Sequence, residues 1–267
     1  MTITPSSIWK DVSKIREQSP LVHSITNYVV MNTTANALLA IGASPIMAHA
    51  EQEMDEIVNI ANALVINIGT LSDPWIKSMF RAAEKAKERN IPIILDPVGA
   101  GATGYRTRTA LELIAAIPPT IIRGNASEIM AISGGDARTK GVDSADMSEA
   151  AVDNAHQLFI KTGSVICISG EIDYILGGDD IIKVRNGHSL MTRVTGLGCT
   201  ATALCGAFAA VNDQFQVAAS HAMAVMGITG EIAAEISHGT GSMQMNFLDT
   251  LYQLSRENMD RLIVKDE

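Results

Sequence analysis

Two carboxylates and an arginine in this sequence have the types and the spacing needed to handle a phosphorylated ligand. Asp96 ends the apolar segment IPIIL and precedes a glycine-rich loop, and Glu128 follows Arg123 by five positions. Carboxylate oxygens are ligands that Mg²⁺ prefers, and an arginine pairs well with phosphate. These residues predict a site where Asp96 and Glu128 serve Mg²⁺, directly or through water, beside a phosphate held by Arg123.

The same residues also have structural interpretations. An aspartate at the end of a strand often caps the turn that follows. Asn125 is a favourable helix N-cap residue, and Glu128 stands three positions later, as in a capping box. The two interpretations are compatible, and the sequence leaves both open.

A second candidate feature is the glycine-containing segment RVTGLGC, residues 193–199. It predicts a strand, a turn through Gly196 and Gly198, and a helix that begins at about Cys199. The free N–H groups and the positive end of such a helix bind anions. No lysine follows the second glycine as in a phosphate loop, and the three glycines of a dinucleotide fingerprint are absent. The segment therefore favours phosphoryl transfer over hydride transfer.

The chain has three cysteines, Cys167, Cys199 and Cys205. Their odd number and spacing argue against a zinc site or a disulfide framework. Cys167 and Cys205 lie in apolar segments and are expected to pack in the interior. A nucleophilic Cys199 would need a base such as histidine, and the six histidines are scattered along the chain. A thiol that only packs at the helix start is the remaining alternative.

Short apolar segments alternate with helical ones over the first two thirds of the chain, as in a parallel α/β sheet. Residues 171–188 carry apolar residues on both sides of GGDD, which predicts an antiparallel hairpin. After residue 199 the pattern is almost wholly helical, over 199–212, 216–237 and 246–263. The predicted strands span 21–26, 44–48, 63–69, 91–98, 119–125 and 164–170.

One helix is predicted in particular detail, over residues 72–90. Asp73 is expected to cap it, and basic residues near its end suit the negative end of the helix dipole. Its apolar stripe of Ile76, Phe80 and Ala83 is expected to face a core.

The ends of the predicted strands carry the residues that could bind a ligand. In an open parallel sheet, ligands bind outside the carboxyl ends of the strands. Since nearly every strand contributes such a residue, we expect them to meet at one edge, which is the predicted active site. They are Asn27, Met47, Gly69, Asp96, Arg123, Asn125 and Ser169.

Composition sets the outer limits on fold and partners. The chain has 267 residues, 47% of them hydrophobic and 18% charged, which suits one α/β domain over residues 1–267. The net charge of −9 opposes binding to nucleic acid or to an anionic membrane. No unbroken run of about 18 apolar residues and no signal-peptide pattern occurs, so a cytoplasmic location is expected.

Five segments together resemble the hydroxyethylthiazole kinase family, a thiamin-salvage branch of the ribokinase-like superfamily. They are NYVVMNTTANALLAIGASPIM, LDPVGAGAT, RGNASEI, KGVDS and VTGLGC, and the resemblance extends over about residues 10–260. It implies an α/β fold of the ribokinase-like class, with a mostly parallel central sheet flanked by helices and a helical C-terminal third. It further implies phosphorylation of the primary alcohol of 4-methyl-5-(2-hydroxyethyl)thiazole, with ATP as co-substrate and Mg²⁺ as cofactor, in a homotrimer whose sites lie near subunit boundaries.

The resemblance also implies a role for each candidate residue. The thiazole would lie beside Asn27, the backbone of Met47 and Gly196. Cys199 would occupy the place where most ribokinase-like enzymes carry a catalytic aspartate, and the two carboxylates would serve Mg²⁺. The nucleotide would contact Arg123, Asn125, Ser169 and Gly198. Two positions depart from the family pattern: Leu197 replaces a smaller residue, and Ser169 replaces a common threonine.

A thiol in an aspartate's place predicts a modest catalytic role. In phosphoryl transfer the alcohol loses its proton late, so positioning and charge neutralisation dominate. A cysteine has a pKa of about 8.5 against about 3.9 for aspartate, so its thiolate is the stronger base but is scarce at neutral pH. We expect Cys199 to assist deprotonation modestly and the backbone N–H groups to contribute more.

Three other functions fit parts of the same pattern. A related kinase for hydroxymethylpyrimidine or a sugar would more often carry an acid in place of Cys199. A nucleotide-dependent dehydratase of damaged nicotinamide cofactors shares the architecture but transfers no phosphate to an alcohol. A regulatory nucleotide-binding module would need no acceptor pocket around Asn27 and Met47.

Overall fold

The structure, a computed structural model, describes residues 3–134, 144–178 and 180–263, with only the backbone described over 144–150. The sequence over 133–146 is polar and predicts a loop; this loop, with its KGVDS motif, lies largely outside the described residues.

A single eight-stranded sheet organises the described chain. The first six strands are parallel, and the last two continue the sheet as an antiparallel hairpin. Each of the six strands predicted from an apolar segment is present, although each is shorter than its segment, and the predicted hairpin is confirmed. The strands are β1 Leu21–Ile25, β2 Ser44–Ile46, β3 Ala63–Asn67, β4 Ile93–Asp96, β5 Ile121–Asn125, β6 Val165–Ser169, β7 Asp173–Leu176 and β8 Ile181–Val184. They lie in the sheet in the order β2-β1-β3-β4-β5-β6-β7-β8.

Helices cover both faces of this sheet. They are α1 Pro5–Gln18, α2 Met31–Ile41, α3 Met54–Ile60, α4 Asp73–Glu88, α5 Gly104–Ala116, α6 Ala126–Ser133, α7 Ser144–Thr162, α8 Leu197–Ala209, α9 Phe215–Glu235 and α10 Thr240–Gln253. Short 3₁₀ segments occur at Glu51–Glu53, Ser189–Arg193 and Glu257–Arg261. The helical C-terminal third is confirmed, but the last predicted helix ends at Gln253 and is followed by a 3₁₀ turn.

Alternate residues of the strands pack into two separate apolar cores. Val65 and Ile94 face the core formed with α1, α2, α8, α9 and α10. Leu64 and Leu95 face the core formed with α3 to α7. Because successive side chains of a strand point to opposite faces, a strand buried on both faces needs the continuous apolar runs seen in the sequence.

The helix predicted at 72–90 forms, but two of its details are wrong. Its N-cap is Ser72, and Asp73 is instead the first helical residue, whose carboxylate accepts a hydrogen bond from the Tyr105 hydroxyl. Of the predicted stripe, Ala83 is buried and Phe80 packs partly buried against the core formed with α3 to α7, but Ile76 is only partly buried and does not join that core. The buried residues are Trp75, Ser78, Met79, Ala82, Ala83 and Ala86.

Helix α9 is long and apolar enough, by length and composition alone, to cross a membrane. However, 78% of its most apolar window is buried within the fold. This burial is typical of a core helix, and it explains why the helix is apolar on every side.

Candidate active site

The carboxyl ends of the central strands and the start of α8 enclose a cavity of about 270 Å³. Eight of the ten residues to which the resemblance assigns a role line it, together with Val98. They are Asp96, Arg123, Asn125, Glu128, Ser169, Gly196, Gly198 and Cys199. Asn27 lies beside the cavity, with its Nδ2 3.5 Å from the Cys199 sulfur. Met47 follows β2, is half-buried, and does not line the cavity.

Helix α8 begins earlier than the sequence predicts, and the segment before it is a 3₁₀ turn rather than a strand. Gly196 is its N-cap, with a φ of 88° that favours glycine, and a Cβ there would lie 2.7 Å from a Val30 methyl carbon. The first helical hydrogen bond runs from Thr200 N–H to the Gly196 carbonyl. The N–H groups of Leu197, Gly198 and Cys199 are therefore left for an anion.

Arg123 places a buried positive charge against this helix end. Its side chain is only 9% exposed, and Nη2 donates to the Ser169 hydroxyl at 2.6 Å. The Nε–H has no partner among the described residues. Burial opposes the charged form, but the nearby acids Asp96 and Asp173 raise the pKa of Arg123 above its ordinary value. A Cβ on Gly198 would lie 3.2 Å from Nη1, so glycine is what permits this approach.

Asp96 ends β4 and is 1% exposed. Its Oδ2 accepts hydrogen bonds from Asn67 Nδ2 at 2.7 Å and from the Thr202 hydroxyl at 2.8 Å. Burial raises the pKa of Asp96 to about 7, with a further contribution from Glu128, although Arg123 and the two hydrogen bonds lower it. The remaining oxygen, Oδ1, accepts no hydrogen bond from the described residues.

Glu128 forms the predicted capping box with Asn125 and also holds the loop after β4. Its Oε2 accepts from the Asn125 N–H at 2.9 Å, and the Asn125 side chain accepts from the Glu128 N–H at the same distance. Its Oε1 accepts from the Gly99 N–H at 2.8 Å. Both carboxylate oxygens are thus engaged with the backbone, which favours contact with a metal through water.

This pair of carboxylates fits Mg²⁺ held jointly with phosphate. Among the described residues, no group of three or more His, Cys, Asp and Glu could form an all-protein metal site. Mg²⁺ keeps several waters and commonly binds one or two carboxylates together with substrate phosphates. Asp96 offers one free oxygen, and Glu128 can reach the ion through water, so the donor set suits this mode of binding.

Cys199 lies in the first turn of α8, and Asn27 Nδ2 donates to its sulfur. Burial raises the pKa of the Cys199 thiol to about 11, with Asp96 adding to the effect, while the nearby side-chain amides of Asn67 and Asn27 lower it. Arg123 also lowers it, but not enough to offset burial. The thiol is therefore protonated at neutral pH.

Three residues of the site escaped the sequence analysis. Asn67 lies in the apolar segment ALVINIG and Thr202 in an alanine-rich helix, so the residues around them did not indicate a functional site. The signal for Asn67 was present, since it ends a buried strand as Asp96 does. Arg106 joins two loops at the sheet edge by donating to the carbonyls of Val98 at 2.8 Å and Gly69 at 2.6 Å.

Comparison with known proteins gives a consistent result over the whole chain. A family model described as "HK: Hydroxyethylthiazole kinase family" matches residues 12–257. A hydroxyethylthiazole kinase of Syntrophus aciditrophicus is 62% identical over 262 residues, covering 98% of this chain and 97% of that protein. One from Leptospira biflexa is 57% identical over 251 residues, covering 94% of each chain.

Solved structures agree in fold. The structure of hydroxyethylthiazole kinase from Pyrococcus horikoshii OT3 has a TM-score of 0.89 and 41% identity, covering 97% of this chain and 98% of that one. A ribokinase-like superfamily protein from Enterococcus faecalis has a TM-score of 0.64 at 14% identity, covering 87% of this chain and 85% of that one, and confirms the fold class alone. With its near-complete family match and close relatives, the chain belongs to the hydroxyethylthiazole kinase family.

Proposed function

We propose that the protein transfers the γ-phosphoryl group of ATP to the primary alcohol of 4-methyl-5-(2-hydroxyethyl)thiazole, in thiamin salvage. The observation that carries this proposal is the cavity in which Arg123, the free end of α8, Asp96 and Cys199 meet. Phosphoryl transfer needs positioning and charge neutralisation more than covalent chemistry, and these groups supply both.

The phosphate side of the site is formed by Arg123, Ser169 and the start of α8. Arg123 is held by Ser169 and keeps one N–H free, while the N–H groups up to Cys199 are unused within the helix. Gly198 lets these two sources of positive potential approach each other, and Asn125 lines the same cavity. Such fixed donors stabilise the charge that develops on the transferred group without reorganising.

Mg²⁺ would be held by Asp96 and, through water, by Glu128. Bound there, it would neutralise charge on the phosphates. The free Oδ1 of Asp96 and the position of Glu128 at the cavity wall support this assignment.

The acceptor side would be formed by Asn27, the backbone of Met47 and Gly196. Asn27 connects this side to Cys199, and Gly196 lines the cavity next to the helix end. The exposed apolar side chains of Tyr28 and Val29 follow Asn27 directly, which supports a subunit boundary near the site. The homotrimer itself is proposed from the family resemblance. We also propose one domain over residues 1–267, a cytoplasmic location, and no nucleic-acid or membrane partner.

Labelled ATP tests the proposed reaction directly. We expect Mg²⁺-dependent transfer of the γ-phosphoryl label to the thiazole alcohol. Hydroxymethylpyrimidine and pyridoxal are matched alcohol acceptors that serve as controls. Label on one of those alcohols instead, or ATP turnover without any phosphorylated alcohol, would contradict the proposal, and the second result would favour a dehydratase.

The Cys199 thiol is expected to contribute modestly to turnover. Because its pKa is raised to about 11, little thiolate exists at neutral pH, so Cys199→Ala should lower kcat by less than about 100-fold, the lower bound for a full general base. The measurement is kcat for Cys199→Ala, Cys199→Ser and Cys199→Asp. If Cys199→Asp is inactive while Cys199→Ala keeps full activity, the general-base role is abandoned.

A further inference from the structure

Asn67 is a buried side chain between the acceptor side and the phosphate side of the site. It ends β3, between the ends of β1 and β4, and is paired in register with Asp96. It is 2% exposed. Its Oδ1 accepts from Asn27 Nδ2 at 2.8 Å and from the Gly69 N–H at 3.0 Å, and its Nδ2 donates to Asp96 Oδ2 at 2.7 Å. One amide group therefore contacts both sides of the site at once.

The partners of Asn67 require an amide. A carboxylate could not donate to Asp96, and an apolar side chain could neither donate nor accept. A flipped Asn67 amide would place its NH₂ group against two N–H donors and its oxygen against a carboxylate. The Asp96 carboxylate consequently fixes the orientation of Asn67.

The orientation of Asn67 in turn fixes that of Asn27. The Oδ1 atom of Asn27 accepts from the Val29 N–H at 3.1 Å, and its Nδ2 donates to Asn67. The same Nδ2 group is thereby directed at the Cys199 sulfur, 3.5 Å away. A chain of oriented hydrogen bonds thus runs from Asp96 through two amides to the thiol.

We propose, on the basis of the function proposed above, that Asn67 is a positioning residue for phosphoryl transfer. It holds Asn27 and Cys199, on the acceptor side, at a fixed distance from Asp96, on the phosphate side. Thr202 also donates to Asp96, but among the described side chains only Asn67 bonds to both Asp96 and Asn27. In-line transfer depends on this distance, since a misplacement of about 1 Å can cost about 100-fold in rate.

The variant Asn67→Ser separates this role from the local turn. The serine hydroxyl can still accept from the Gly69 N–H two residues on, but it is too short to reach Asn27 and Asp96. We expect kcat to fall by about 10- to 100-fold. We also expect the Kd of the thiazole, measured by calorimetry without ATP or Mg²⁺, to rise about 10-fold, because Asn27 is no longer oriented. Asn67→Leu, which is similar in shape, is the second variant if the serine form does not fold.

Asn186→Ser is the matched control. Asn186 is 6% exposed and is equally well bonded, to Glu231, to the Arg261 carbonyl and to the Ile263 N–H, outside the cavity. The Asn186→Ser variant should have a lower thermal midpoint of unfolding, while its kcat and its Kd for the thiazole stay unchanged. The positioning role is overturned if Asn67→Ser lowers the midpoint but leaves both constants within about two-fold of wild type. A wild-type protein that transfers no phosphate to the thiazole would overturn the proposed function, and this role with it.

Discussion

Asp96→Asn is expected to abolish most of the turnover and, at the same time, to stabilise the protein at alkaline pH. The amide is isosteric and can still accept from Asn67 and Thr202, so the site should keep its shape. It cannot supply the negative charge that would hold Mg²⁺. We expect kcat to fall by about 1,000-fold, as when one fixed electrostatic group is removed from a closed active site.

The stability part of this prediction follows from the pKa of Asp96. Burial raises it from an ordinary value near 3.8 to about 7, so the folded protein binds this proton more tightly than the unfolded chain does. The stability contributed by this carboxyl is therefore fully present below about pH 4 and is lost as the pH rises through about 7. The difference corresponds to about 4 kcal/mol, which Asp96→Asn should recover at pH 8 but not at pH 4.

Asp173→Asn is the control for this combination. Asp173 is also buried, and burial raises its pKa to about 7, but it does not line the cavity. It should show the same gain in thermal midpoint at pH 8 while kcat stays within about 10-fold of wild type. The role of Asp96 would be refuted if Asp96→Asn kept its turnover, or if it were destabilised equally at pH 4 and pH 8.

The parts of the site that sequence reasoning predicted are those set by local rules. Asp96, Asn125 and Ser169 could be assigned to one edge because each ends a parallel strand, and such ends must meet; Arg123 lies two residues before the end of β5. The capping box of Asn125 and Glu128 depends on a three-residue spacing, which can be read directly from the sequence.

The parts that sequence reasoning missed depend on packing between distant segments. The start of α8 was placed two residues late because Leu197, an apolar residue between glycines, resembles a turn residue in the sequence. The raised pKa of Cys199 depends on burial and on Asp96, which is 103 positions away. In the sequence, Asn67 is a single polar residue in an apolar strand. Its contacts become evident only when β1 and β4 are known to lie on either side of β3.

Arg123 carries the positive charge that lowers the pKa of both Asp96 and Asp173, so replacing it should affect both ATP binding and stability. Arg123→Met keeps an unbranched side-chain stem but removes the charged guanidinium group. The KM for ATP should rise by at least about 10-fold, since a charge-assisted contact to phosphate is lost, while the KM for the thiazole should be unchanged. The reverse pattern of constants would count against Arg123 as a phosphate ligand.

Arg123→Met should also destabilise the protein, and more so at pH 8 than at pH 5. Arg123 lowers the pKa of both Asp96 and Asp173, so without it their pKa values rise further above about 7. Stability then continues to fall with pH beyond 7, because the folded variant still holds protons that the unfolded chain has lost. Without Arg123 the two buried carboxyls lose the positive charge that favours their ionised forms, and chemical denaturation at the two pH values measures the resulting loss of stability. Arg123→Lys, which keeps the charge but cannot reproduce the guanidinium fork, should recover most of the stability at pH 8 and only part of the ATP affinity. An equal loss of stability for both variants at both pH values would mean that Arg123 acts through packing, and that its charge does not set the ionisation of the two aspartates.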